Sequence, residues 1–181
     1  MSLLRFLGFG RDEPADASPS ARAEVIRRIV GSLEEMDPAR AKHLAGFAFV
    51  LSRVANADMK VSDAERRQME HSVRTWGHLP EDQAVLVVQI AIHHNILFGG
   101  TENFIVTREF RDNATQEQKE ELLHCLFAVS AADTAISSVE EATIAQIARE
   151  LGLSHRDMVG IRAAWRDKRA VLKDLPDDPT A

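Results

Sequence analysis

Six carboxylates in two short stretches carry most of the chemistry this sequence offers, and the stretches repeat one another 75 positions apart. The first runs Leu51-Ser-Arg-Val-Ala-Asn-Ala-Asp58-Met-Lys-Val-Ser62-Asp63-Ala-Glu65, the second Leu126-Phe-Ala-Val-Ser-Ala-Ala-Asp133-Thr-Ala-Ile-Ser137-Ser-Val-Glu140-Glu141. Asp58, Asp63 and Glu65, with Asp133, Glu140 and Glu141, are oxygen donors of the kind that hold a hard divalent cation. Ca²⁺ is the first candidate, with Mg²⁺, Mn²⁺ and Zn²⁺ as alternatives. A Ca²⁺ ion collects about six to eight oxygens, more than either stretch supplies alone. One site shared by both stretches and two separate sites both fit the pattern. Neither stretch follows the helix–loop–helix Ca²⁺ loop with its central glycine.

Part of each stretch is explained by helix formation alone. Ser62 with Glu65, and Ser137 with Glu140, have the spacing of capping boxes, in which the serine accepts from an early backbone N–H and the glutamate reaches back to the cap's own N–H. Such a cap contributes about 1 kcal/mol to a helix start. Val61 and Ile136, each just before its cap, have the position of hydrophobic staples. Asp58 and Asp133 are left over. Each is predicted at the carbonyl end of a helix, where the macrodipole disfavours an acid by a few tenths to about 1 kcal/mol. A bound cation would offset that cost, and so would the amide end of the next helix if the connector is tight.

Other reactive side chains form weaker patterns. Glu121-x-x-His124 has half the spacing of a di-iron carboxylate bundle, but the second such motif and the two further glutamates are missing. His93 and His94 are adjacent, so on a helix they point about 100° apart and cannot share one ion unaided. The sequence holds no His-Glu-x-x-His, no phosphate-cradling glycine loop and no Gly-x-Ser-x-Gly turn. Catalysis is therefore not expected. Cys125, the single cysteine, lies in an apolar run and reads as a small buried hydrophobe, which fits a reducing compartment.

The 181 residues are enough for one domain with a real core. Residues 1–20 read as a short apolar segment, Leu3-Leu4-Arg5-Phe6-Leu7-Gly8-Phe9, followed by a linker; 21–172 as the folded body; and 173–181 as an acidic, proline-containing tail. The net charge of −6 and the scattered basic residues argue against a nucleic-acid partner. No apolar run approaches the roughly 20 residues that cross a bilayer. The apolar start reads as a frayed terminus or a flap onto the core, with a docking segment for a protein or a membrane surface as the alternative. A small-molecule substrate is not expected.

Every strong local signal in the body is helical. Asp37-Pro38 divides a helix over Ala21–Met36 from one over Ala39–Ala57. The two capping boxes begin helices that Gly77 and Gly152 are predicted to close in the left-handed conformation. Residues 81–98 give a further helix, 104–112 a short one, Thr115 caps a helix through Ala132, and Ser154 caps a last one through about Leu172. Trp76 and Trp165 fall on apolar faces and are expected in the core. The fold class is all-α, a seven- to eight-helix bundle with two pseudo-symmetric helical-hairpin repeats.

At its two connectors the sequence resembles the tellurite-resistance TerB family, whose repeated signature is an apolar helix ending Ala-Ala-Asp-Gly, then Ile or Val, Ser, and Glu three residues on. The matching residues are Ala57-Asp58, Val61-Ser62 and Glu65, then Ala131-Ala132-Asp133, Ile136-Ser137 and Glu140, with Glu150-Leu-Gly-Leu-Ser154 after them. Met59 and Thr134 stand where the family has glycine. The resemblance covers residues 24 to 170. It implies a helical module of bacterial proteins that carries no catalytic residues and binds a divalent cation at an acidic surface. It also implies a stress-response assembly in the cytoplasm, with protein partners near the inner membrane.

Overall fold

Polar caps and prolines set where the helices begin. A computed structural model describes residues 19–55, 61–94, 97, 103–133 and 135–169. Eight α-helices are found among them: α1 (Pro19–Glu34), α2 (Pro38–Ser52), α3 (Asp63–Trp76), α4 (Glu81–Ile92), α5 (Asn103–Asn113), α6 (Gln116–Ser130), α7 (Ser138–Glu150) and α8 (His155–Ala164). Two 3₁₀ turns, Ala131–Asp133 and Arg166–Lys168, extend α6 and follow α8. No strand occurs among the described residues; the one bridge pairs Ile136 with Arg169 in parallel. The fold is all-α.

Asp37 accepts from the amides of Ala39 and Arg40 at 3.0 Å each, opening α2 ahead of Pro38. Both predicted capping boxes form, at Ser62/Glu65 and Ser137/Glu140, and two more form at Thr115/Gln118 and Ser154/Asp157. The two connector caps share one backbone conformation, φ −67° and ψ 160° at Ser62 against φ −69° and ψ 161° at Ser137.

Helices α2 and α6 carry much of the core. Leu44, Phe47, Val50 and Leu51 on α2, and Leu122, Leu123, Leu126 and Phe127 on α6, are all closed to solvent. A helix apolar around most of its circumference belongs inside a bundle. Helix α2 packs on α4 and α5, and α6 on α3, α7 and α8. Cys125 is fully buried, and burial pushes its thiol well above the ordinary range, so it behaves as a core hydrophobe.

Several boundaries differ from the sequence expectation, one at a local hydrogen bond and the others where tertiary partners take over. Helix α2 stops at Ser52 rather than Ala57: the Ser52 hydroxyl donates to the Phe49 carbonyl at 2.7 Å, and Arg53 reaches away to Thr107 and Glu150. The helix expected over 81–98 breaks at His93, whose Nδ1–H donates to the Gln89 carbonyl at 2.8 Å. Helix α8 stops at Ala164 instead of running to Leu172, because the chain folds back so that the Ile136 amide donates to the Lys168 carbonyl at 2.8 Å.

Of the two glycines predicted to be left-handed, only Gly152 is, at φ 75°. Gly77 has φ −87°, and its neighbour His78 takes the positive φ of 46°. Gly77 is required by close approach instead: a Cβ there would stand 2.7 Å from the Val73 carbonyl oxygen and 2.9 Å from the Phe47 ring. Trp76, expected in the core, is 39% exposed. Its ring stacks on His124 at 5.5 Å and meets Trp165, itself half-buried, edge-on at 5.0 Å. The helix end carries it to the rim of the core rather than into it.

Candidate functional site

The second connector is built from both sides. The 3₁₀ turn Ala131–Asp133 prolongs α6, so Asp133 closes that helix at its carbonyl end. Ile136 is fully buried and bridged to Arg169, and Ser137 then caps α7. Glu140 accepts from the Ser137 amide at 2.9 Å and from the Ser137 hydroxyl at 2.6 Å. Glu141, one residue on and so about 100° further round α7, is buried. Arg169 grips it with two hydrogen bonds, of 2.9 and 2.7 Å, and Arg162 reaches the same carboxylate.

The first connector repeats the cap without the clamp. Glu65 accepts from the Ser62 amide at 2.7 Å, and its carboxyl is held below the usual range by the hydrogen bonds from Ser62. Asp63 projects into solvent with its side chain 82% exposed and pairs with Arg66 at 3.3 Å; Arg66 also binds Glu70 at 2.7 Å. Asp58 lies outside the described residues. Glu65 and Glu140 thus have equivalent partners in their own caps, whereas Glu141 belongs to an arginine cluster with no counterpart among the described residues of the first connector. Among the described residues, no group of three or more His, Cys, Asp or Glu side chains comes together as a metal cage.

The Glu121/His124 pair separates. Glu121 binds Nδ1 of His78 at 2.8 Å, while Nδ1 of His124 accepts from the Trp165 indole N–H at 3.1 Å. Burial lowers the His124 pKa, in keeping with a neutral ring that accepts this bond. His43, against Phe47 and Phe110, is pushed down to about 4 by burial and by the nearby Arg40 charge.

One feature was not anticipated from the sequence. Helices α7 and α8 diverge around a groove of about 660 Å³ with a floor of Ala142, Ala145, Ala148 and Met158. Arg149, Arg162 and Arg169 line it, Arg169 with 13% of its side chain exposed, and Glu141 is the one acid among the described residues that line it. The three alanines spaced three apart on α7 were the available signal, since such positions fall on one side of a helix.

Among the described residues no helix is long and apolar enough to cross a membrane. No curated protein and no solved structure matches the chain significantly. A family model does: it spans residues 43–163, from within α2 to the last turn of α8, and is the one described as tellurite resistance protein TerB.

Proposed function

The chain belongs to the TerB family, and on that premise we propose that it is a non-catalytic, cytoplasmic module that docks on a protein partner in a stress-response assembly related to tellurite resistance. In this reading a divalent cation, Ca²⁺ foremost, is held at the acidic connectors by oxygens from Asp58, Asp63, Glu65, Asp133, Glu140 and Glu141, and its occupancy biases docking. What supports it is the equivalence of the connectors. The same cap recurs with the same backbone conformation, each time the sequence sets an aspartate four residues before the capping serine, and Asp133 stands at the end of its helix, where the dipole disfavours an acid. An ion bound only by the folded state raises its stability by mass action. Metal-stripped protein should therefore unfold at a higher temperature in millimolar Ca²⁺, and Asp58→Asn with Asp133→Asn should abolish that rise while helicity is kept. An unchanged ion response in the double variant overturns the site assignment.

One observation favours a second reading. Glu65, Glu140 and Glu141 already have protein donors, from Ser62, from Ser137 and from two arginines. A metal-independent adaptor, docking on a partner or a membrane surface through its apolar N-terminus, needs nothing more from them. It predicts that the two Asp→Asn changes alter stability equally with and without divalent ions.

A further inference from the structure

We propose that the groove between α7 and α8 is a docking site for an acidic amphipathic helix of a partner protein. The inference rests on the docking part of the function proposed above and not on the cation, so it is tested in metal-free buffer.

Shape comes first. Ala142, Ala145 and Ala148 keep one side of α7 low, and Met158 and Leu153 complete an apolar floor. Val159, on the α8 side, leaves 48% of its surface in water. The volume, about 660 Å³, accommodates a row of apolar side chains. The two main walls are helices and no strand occurs among the described residues, so an incoming segment satisfies its own backbone and offers a face, as helix-in-groove ligands do.

Charge identifies the occupant. The chain as a whole carries −6, yet three guanidiniums face one carboxylate along this groove. Arg162 and Arg169 share Glu141, and Nε of Arg162 has no hydrogen-bond partner among the described residues. Arg149 is exposed and forms no ion pair among the described residues. A segment with an apolar face flanked by glutamates or aspartates fills the floor and meets the arginines, which bind carboxylates well through their planar donor forks. A basic segment is repelled.

The test titrates two labelled synthetic helices into the full chain: one with a leucine face and glutamate flanks, and a twin with lysine flanks. The expected result is saturable binding of the glutamate helix and at least about tenfold weaker binding of its twin, about 1.4 kcal/mol. Arg149→Glu should weaken the glutamate helix about tenfold, Ala142→Glu should block the floor, and Arg156→Glu on α8 outside the groove should change little. Equal binding of both helices, no binding of the glutamate helix, or indifference to Arg149→Glu overturns the proposal. Val171, Leu172 and Leu175 follow the groove-lining Arg169 in sequence. Binding that appears only when all three are changed to serine makes the chain's own C-terminal segment the occupant and overturns a partner helix. A dimer that Arg149→Glu dissociates makes the occupant a second copy of the chain and likewise overturns a partner helix.

Discussion

Arg53, the first residue beyond α2, donates to Glu150, the last residue of α7, at 2.5 and 3.2 Å across 97 positions of sequence. Both side chains are largely buried, 8% and 13% exposed, and Nη1 of Arg53 also donates to the Thr107 hydroxyl at 2.9 Å. The pair ties the start of the first connector to the end of the helix that the second connector begins. An arginine fork on a carboxylate fixes geometry as well as adding energy.

Removing one partner should cost more than removing both. Glu150→Ala leaves a buried guanidinium without its counter-charge, for an expected loss of about 2–3 kcal/mol. Arg53→Met combined with Glu150→Leu should recover much of that loss. Urea unfolding of the single and double variants measures the difference.

The same pair sets an acid limit on stability. Burial works to raise the Glu150 carboxyl, but hydrogen bonds from Arg53 and Gln146 outweigh it, and the net shift is downward. A carboxylate depressed in the folded state contributes stability that is present above its unfolded pKa and lost as pH falls through the folded one. Glu150→Gln should therefore be less stable than the parent at neutral pH, and the gap should close as pH drops below the ordinary carboxylate range. Unfolding midpoints measured across that range check the convergence.

His43 acts in a higher window. Its folded pKa of about 4 lies below the ordinary 6.5, so the folded state favours the neutral ring. Its contribution is undiminished above pH 6.5 and declines as pH falls toward 4, where the unfolded chain takes up the proton first. His43→Gln should flatten the part of the stability profile between those values. Thermal unfolding at several pH values in that interval reads it directly.

Three glycines should respond to alanine in three ways. Gly77→Ala drives a methyl into the Val73 carbonyl and the Phe47 ring and should cost about 1–3 kcal/mol. Gly152→Ala forces a side chain to φ 75° and should cost about 1 kcal/mol. Gly31, inside α1 with nothing within 4 Å of an added Cβ, should gain about 0.5–1 kcal/mol. Denaturant midpoints of the three variants rank them.

Features written in neighbouring residues were readable from the sequence. Asp37-Pro38, Thr115 and the serine caps at 62, 137 and 154 specify helix starts because cap and amide lie within three residues of each other. What depends on distant partners was hidden. Gly77 looked like a left-handed helix end because one residue type serves two purposes, and the Phe47 ring that requires it is 30 positions away. The early end of α8 follows from pairing of Lys168 and Arg169 with the second connector. At the candidate site, the capping roles of Glu65 and Glu140 were legible and the arginine clamp on Glu141 was not. Residues 141, 162 and 169 carry no spacing that announces a cluster. The α7–α8 groove was missed for a related reason: alanines at three-residue spacing resemble any buried helix face until the neighbouring helix is seen to diverge.

The most direct test of a cation-linked module is calorimetric titration of Ca²⁺ into the metal-stripped full chain, alongside the Asp58→Asn, Asp133→Asn double variant. Saturable heat in the parent and none in the variant is the predicted result. A flat titration of the parent with Ca²⁺, repeated with Mg²⁺, Mn²⁺ and Zn²⁺, contradicts cation binding and leaves the reading of a metal-independent adaptor.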